Sequence, residues 1–181
     1  DTVGVALGPY TTIDRLGTPY SDSLHVVERY RMLPYAEARA AMDLAEKNRL
    51  GIPLLIGEDG IHGHSFWKGA NIFPTELAMA ASWNPDIVER MGRVTAEEMA
   101  PTGIHETFSP VLCLTRDVRW GRTGETFGED PYLIGELGAA MITGYQGKGL
   151  DDPTAVVATA KHYAGYSETQ GGRDASEADI S

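Results

Sequence analysis

Three polar clusters in this sequence could do chemistry. The densest is Arg116-Asp117-Val118-Arg119-Trp120-Gly121-Arg122-Thr123-Gly124-Glu125-Thr126-Phe127-Gly128-Glu129-Asp130. Its glycines let the backbone turn sharply and gather side chains into one small volume. Bidentate donors and acceptors at this density suit a preorganised polar site. The plainer alternative is an ion-pair network that only braces the loop. The second cluster is Glu58-Asp59 and the third is Lys161-His162-Tyr163. Asp59 would offer two acceptor oxygens to adjacent hydroxyls, while Arg122, Lys161 and His162 would donate to the others. Trp120 and Tyr163 are the aromatics placed to cover an apolar face. Such a mix fits a neutral, hydroxyl-rich ring such as a sugar. A phosphate would call for the cations and glycine amides without a carboxylate beside them.

Each residue also has a structural reading. Asp59 could cap the loop that follows it, and Trp120 could belong to the core. Arg119 is expected to pair with Glu125 or Glu129, which leaves Arg122 for the site. His25 and His105 lie outside the clusters and are read as surface or core residues. A lysine at the end of a buried strand, as Lys161 is expected to be, needs a partner or water. Neighbouring strand residues point to opposite faces. Lys161 and His162 can therefore share a pocket only if the backbone leaves regular strand geometry at residues 161–163, a conformation of the kind found at functional sites. His62-Gly63-His64 suggests a different chemistry, that of a metal-dependent amidohydrolase barrel with its H-x-H pair. Here the pair lies past Ile56 in a glycine-rich loop, and the other histidines are not spaced to complete a metal shell. No metal and no cofactor is expected.

The elements that must position these clusters alternate. Apolar runs of strand length occupy residues 3–7, 52–57, 107–112 and 155–160, the third weakened by Pro110. The continuous run 52–57 has the look of a strand buried on both faces. Helices are expected from Pro34 to a stop at Gly51, over 75–81, from Asn84-Pro85 to Gly103, and from Asp130-Pro131 through Tyr145. Val88, Met91, Thr95 and Met99 form the buried stripe of the third of these. Ile134, Leu137, Gly138, Met141, Ile142 and Tyr145 form that of the fourth. Residues 10–33 read as loop with one helical turn near 24–30, and 164–181 show no core pattern. Strands alternating with helices imply right-handed crossovers and a parallel sheet. In such a sheet the carboxyl ends share one edge, so clusters that follow the second, third and fourth strand candidates should converge.

The chain has 181 residues and a formal net charge of −11. That length supports one domain with a core, and the acidic balance argues against nucleic acid or an anionic membrane surface as a partner. No apolar run approaches the roughly 20 residues of a membrane span, and no basic-led apolar signal segment opens the chain. The missing initiator Met suggests that something upstream was removed or never included. A single cysteine, Cys113, excludes an intrachain disulfide. After Val111-Leu112 it reads as a buried, inert thiol. The compartment stays open, with periplasm or extracellular space preferred.

The residues Leu54-Leu55-Ile56-Gly57-Glu58-Asp59-Gly60-Ile61-His62-Gly63, the loop from Arg116 to Asp130-Pro131, and Lys161-His162-Tyr163 resemble the amino-terminal barrel domain of glycoside hydrolase family three, whose best-known members are β-glucosidases. The resemblance runs from about Ile52 to the end, with three motifs in the family's order. It implies an α/β fold, a (β/α)8 TIM-type barrel of which this chain is about the first half. It also implies a retaining, exo-acting β-glycosidase that removes a terminal non-reducing sugar. Carried over by position, Asp59, Arg122, Lys161 and His162 would grip the hydroxyls of the sugar in the subsite before the cleaved bond. The family's aspartate nucleophile lies on a later strand and its acid/base on a further loop or domain. Both are therefore expected beyond Ser181, and no catalytic residue is expected among residues 1–181. Asp59 and Glu125 alone would otherwise look like a glycosidase pair; the resemblance makes Asp59 a substrate clamp instead. Tyr163-Ala164-Gly165-Tyr166-Ser167 departs from the Gly-His-Gly loop of the family's N-acetylhexosaminidases and favours glucoside or xyloside substrates; a β-glucosidase is the main reading and a β-xylosidase of the same family the alternative. A barrel that binds sugar without cleaving it is the rival of another class. The expected partners are a β-glucoside or oligosaccharide and the remainder of the barrel. Four strand candidates cannot close eight strands. Residues 1–181 in isolation are therefore expected to aggregate or stay partly unfolded and to lack turnover; hydrolysis of an aryl β-glucoside by them would overturn the placement of the nucleophile.

Overall fold

The computed structural model describes residues 55–163, 165–174 and 176–178. Three short strands, β1 (Gly57–Glu58), β2 (Glu106–Thr107) and β3 (Val157–Ala158), form a parallel sheet in the order β1-β2-β3. Gly57 and Glu58 pair with Glu106 and Thr107, which pair in turn with Val157 and Ala158. Between them lie α1 (Glu76–Ala80), α2 (Pro85–Met99) and α3 (Pro131–Gln146). The order is that of two consecutive strand–helix–strand units. The described part is thus a mixed α/β fragment whose small parallel sheet has one common carboxyl edge. The strand candidate at 3–7 and the helix candidate at 34–50 lie outside the described residues. Ser181 does too, so the expectation that the nucleophile and acid/base come after it has no counterpart in the described fold.

Helix starts follow local chemistry closely. Asn84 Oδ1 accepts from the Asp86 amide at 3.0 Å and Asp130 Oδ1 from the Leu133 amide at 2.7 Å, each just before a proline whose missing N–H costs nothing in a first turn. Thr75 caps α1 in the same way, accepting from Ala78. After α2 a single 3-10 turn runs over Ala100–Thr102, and Gly103 ends it at φ 88°, a left-handed conformation that favours glycine. All four residues expected on the buried stripe of α2 are buried, as are Ile134, Leu137, Gly138, Met141 and Tyr145 on α3; Ile142 is only half-buried. These stripes, with Met79, Phe127 and Val156, make the main core.

The strands are shorter and shifted relative to the apolar runs. Among the described residues of this first run, 55–57, pairing is confined to Gly57, and it continues into Glu58. Leu55 is 59 % exposed, so the described end of the run is not buried on both faces. The carbonyl of Ile56 accepts from His105 and Glu106, on the side where β2 lies. In the run 107–112 pairing stops at Thr107. Pro110 has no N–H to offer, and Val111 rejoins the sheet as a lone bridge to Lys161. The peptides Ser109-Pro110 and Lys161-His162 are both cis. Lys161 makes only the lone bridge to Val111, and residues 162–163 lie in no strand.

Where α2 crosses α3 the backbones themselves touch. A Cβ on Gly144 would lie 2.1 Å from the Glu89 carbonyl oxygen, and one on Gly92 would lie 2.6 Å from that of Met141. Gly144→Ala should therefore force the helices apart and cost about 1–3 kcal/mol. Gly135→Ala, on the same helix with nothing within 4 Å of the new carbon, should stabilise by roughly 0.5–1 kcal/mol through helix propensity. Thermal midpoints of the two variants moving in opposite directions would check the crossing.

Candidate functional site

The carboxyl edge of the sheet brings the clusters together. Asp59 follows β1, the arginine loop follows β2, and Lys161 lies just past β3. Lys161 Nζ donates to Asp59 Oδ1 at 2.5 Å, joining the ends of the two outer strands across β2. The lysine side chain is 15 % exposed and the carboxylate 45 %, so the pair sits at a rim, with the ammonium lodged and the carboxylate presented to solvent. Lys161 is held by its backbone as well: its N–H donates to the Pro110 carbonyl and its carbonyl accepts from Leu112.

His162 reaches a second group of residues. Its Nδ1 lies 3.4 Å from Cys113 Sγ, which also accepts from the His162 amide at 3.5 Å. Burial pushes the Cys113 thiol up, so it stays a neutral S–H. The thiol and the ring share this one contact through Nδ1, which leaves Nε2 as the ring nitrogen turned away from Cys113. Burial, and then the charges of Lys161 and Arg122, hold the His162 imidazole below its ordinary value; Glu125 and Asp59 oppose this. Those four charges thus share one electrostatic neighbourhood around the ring. The ring also packs on Tyr166, with centroids 4.2 Å apart.

Arg122 is the third element of the site. Thr123–Glu125 forms a 3-10 turn, in which residues three apart eclipse, so Glu125 meets Arg122. Arg122 Nε donates to Glu125 Oε1 at 2.9 Å, and Nη2 donates to Oε2. Nη1 donates to Tyr166 Oη at 2.8 Å. The Glu125 hydrogen bonds raise the guanidinium above its already high ordinary range. Tyr166 Oη in turn donates to Asp174.

Asp59 and Lys161 therefore meet directly, while Arg122 and His162 are joined through Tyr166. The expected pairing of Arg119 with Glu125 or Glu129 is not what forms. Arg119 instead grips Asp117 by its Nε and Nη2, and Asp117 Oδ1 also accepts the Arg119 amide. That chelate closes locally, and it holds the exposed Asp117 carboxyl at about 2. Arg116 pairs with Glu168 at 3.6 Å. Of the three arginines, Arg122 is the one that both braces the loop, through Glu125, and reaches Tyr166 beyond it.

Of the two flanking aromatics, Trp120 belongs to the core: it is 2 % exposed and packs with Val111 and Cys113. Tyr163 is fully exposed, and Tyr166 takes the place beside His162 instead. The described residues of 164–181 carry more core than expected, since Ser167 and Thr169 are buried and Tyr166 meets Trp120 at right angles. The H-x-H histidines engage protein groups: His62 Nδ1 donates to the Phe73 carbonyl, and His64 bridges Glu58 and Thr102. Among the described residues no group of three or more His, Cys, Asp or Glu could hold a metal ion.

Sequence reasoning missed Tyr166 and Glu76. Glu76 opens α1 yet is fully buried; its Oε1 accepts from the Val111 amide at 3.3 Å. Burial raises its carboxyl well above the usual range, Glu125 adds to this, and Lys161 counters it. The only available signal for Tyr166 was its four-residue distance from His162, too weak to distinguish it from Tyr163.

The sequence matches the Glycosyl hydrolase family 3 N terminal domain over residues 24–181. The periplasmic β-glucosidase of Salmonella typhimurium is 40% identical over 134 residues, covering 74% of this chain and 17% of the relative. A β-xylosidase of Formosa agariphila is 35% identical over 151 residues, covering 80% and 21%. Among solved structures, a β-glucosidase involved in saponin metabolism from intestinal bacteria superposes with a TM-score of 0.75 at 62% identity, covering 82% of this chain and 20% of that one. The chain thus spans about a fifth of the length of the relatives it matches.

Proposed function

Because the chain belongs to glycosyl hydrolase family 3, we propose that it is the amino-terminal part of a (β/α)8 barrel domain, about the first half, in an exo-acting retaining β-glycosidase of β-glucosidase type. In this reading Asp59, Arg122, Lys161 and His162 bind the hydroxyls of the terminal sugar in the subsite before the cleaved bond. The nucleophile and acid/base lie beyond Ser181 in the whole protein. The observation that carries the reading is the Lys161–Asp59 pair, which places a donor and an acceptor side by side at the carboxyl edge. Asp59 keeps acceptor capacity facing solvent, and Lys161 keeps N–H donors beyond the one it gives to Asp59. His162, as a neutral imidazole, can present a ring N–H without adding charge. Glu125 and Tyr166 leave one N–H on each terminal nitrogen of Arg122. Adjacent hydroxyls of a pyranose, each a donor and an acceptor, complement that set.

A β-glucoside is the favoured substrate, with the saponin-linked relative making glucosides of bulky aglycones a class to test. A β-xyloside is the second reading, supported by the β-xylosidase from Formosa agariphila. The compartment proposed is the periplasm, from the periplasmic β-glucosidase relative; no helix among the described residues is long and apolar enough to cross a membrane. The test is steady-state hydrolysis of aryl β-glucoside and aryl β-xyloside by the whole protein. Glucoside turnover with the higher kcat/KM supports the reading. Glucose binding without turnover of either substrate would make this a non-catalytic sugar-binding barrel instead.

A further inference from the structure

Tyr166 touches more of the candidate site than any residue assigned to it. Its hydroxyl accepts from Arg122 Nη1 at 2.8 Å, and the guanidinium carbon lies 5.5 Å from its ring centroid. Its ring packs at 4.2 Å against His162, tilted by 44°. The buried Trp120 meets it at 5.4 Å and 87°. Its own proton goes to Asp174, so the oxygen has a defined lone pair left for the guanidinium. Burial, followed by the bond to Asp174, raises the phenol above its ordinary value, so that proton stays in place.

Arg122 and His162 come from different strand ends, and Tyr166 is the residue that contacts both. A ring set between them, backed by a buried indole, fixes their separation. We propose that Tyr166 is a positioning residue for the sugar site, holding Arg122 through its hydroxyl and His162 through its ring so that both donors meet neighbouring hydroxyls of one bound sugar. This rests on the reading of Asp59, Arg122, Lys161 and His162 as sugar-binding. Preorganised donors bind more tightly because less ordering remains to be done on association.

The test uses the whole protein with Tyr166→Phe, Tyr166→Leu and, as a reference, Asp59→Ala. Glucose serves as competitive inhibitor and an aryl β-glucoside as substrate. Tyr166→Phe removes the hydroxyl and keeps the ring. It should raise KM and the glucose inhibition constant at least about tenfold, the factor expected for a lost hydrogen bond to a charged group, with kcat changed less and the thermal midpoint held. Tyr166→Leu should weaken glucose further and move the His162 titration, followed by NMR, upward toward its ordinary value. If Tyr166→Phe binds glucose within about twofold of the parent while Asp59→Ala does not, Tyr166 has no positioning role and the sugar site stands. A lowered thermal midpoint with unchanged glucose binding would likewise reduce it to a packing residue. If Asp59→Ala also binds glucose normally, the sugar-site reading itself fails.

Discussion

Replacing Asp59 with alanine in the whole protein should lower kcat/KM on an aryl β-glucoside by about a hundredfold or more. The carboxylate is proposed to accept hydrogen bonds from two sugar hydroxyls, and each bond to a charged group is worth about 1.5–3 kcal/mol. Two such losses give roughly 3–6 kcal/mol, or about a hundredfold to ten-thousandfold. The substitution also strips Lys161 of the acceptor 2.5 Å from its ammonium, so the donor beside it is released from its set position. Asp59→Asn keeps one acceptor oxygen and loses the charge; it should fall between the parent and the alanine variant. Asp59→Ala should also lower the thermal midpoint, because it leaves the Lys161 ammonium, on a side chain only 15 % exposed, without its partner; Asp59→Asn leaves it an acceptor and should cost less. The decisive comparison is therefore the loss in kcat/KM of Asp59→Asn set against its own smaller change in thermal midpoint. An unchanged rate would remove Asp59 from the site.

The alternation that makes this prediction possible was legible because it rests on local rules. Asn84-Pro85 and Asp130-Pro131 are cap-and-first-turn pairs whose chemistry works within three residues, and both open helices where they stand. Periodic stripes on α2 and α3 required only the helical repeat. Strand–helix alternation then fixed which loops share an edge, which is why Asp59 and Lys161, 102 residues apart, meet. What the text did not carry depends on three-dimensional neighbours. The end of the run 52–57 is apolar yet exposed at Leu55, because hydrophobicity alone does not say which side has a pairing strand. Arg119 chose Asp117 over Glu125 because a two-residue chelate closes without any folding of the loop, whereas the 3-10 turn gives Glu125 to Arg122. Tyr163 and Tyr166 are equivalent on paper. In the fold the first is fully exposed and the second packs on His162, a distinction set by the path of the backbone after Lys161.

Glu76 is the least legible residue, and it carries the second large expected effect. As the first residue of α1 it reads as an acid that complements a helix amino terminus, yet it is 0% exposed. Its Oε1 accepts from Val111, the residue that bridges to Lys161, so the proton belongs on Oε2, which has no partner among the described residues. Removing the side chain with Glu76→Ala leaves the Val111 amide unsatisfied and opens a cavity. Together these should cost about 3–5 kcal/mol, a large share of the stability of an ordinary domain. Glu76→Gln keeps the shape and an acceptor, and it isolates the ionisation. In the unfolded chain this carboxyl titrates near its ordinary value of about 4.3, whereas burial raises it well above that in the fold. Below the unfolded value both states hold the proton, and its contribution to stability is fully present. As pH rises through the window up to the folded value, the unfolded chain releases the proton and the folded one keeps it, so stability falls. Glutamine does not titrate. The thermal midpoint of Glu76→Gln minus that of the parent should therefore be smallest near pH 4 and climb steadily toward neutrality. A difference that stayed flat over that range would mean that the carboxyl titrates normally in the fold, and that Lys161 has a second anionic neighbour rather than a neutral one.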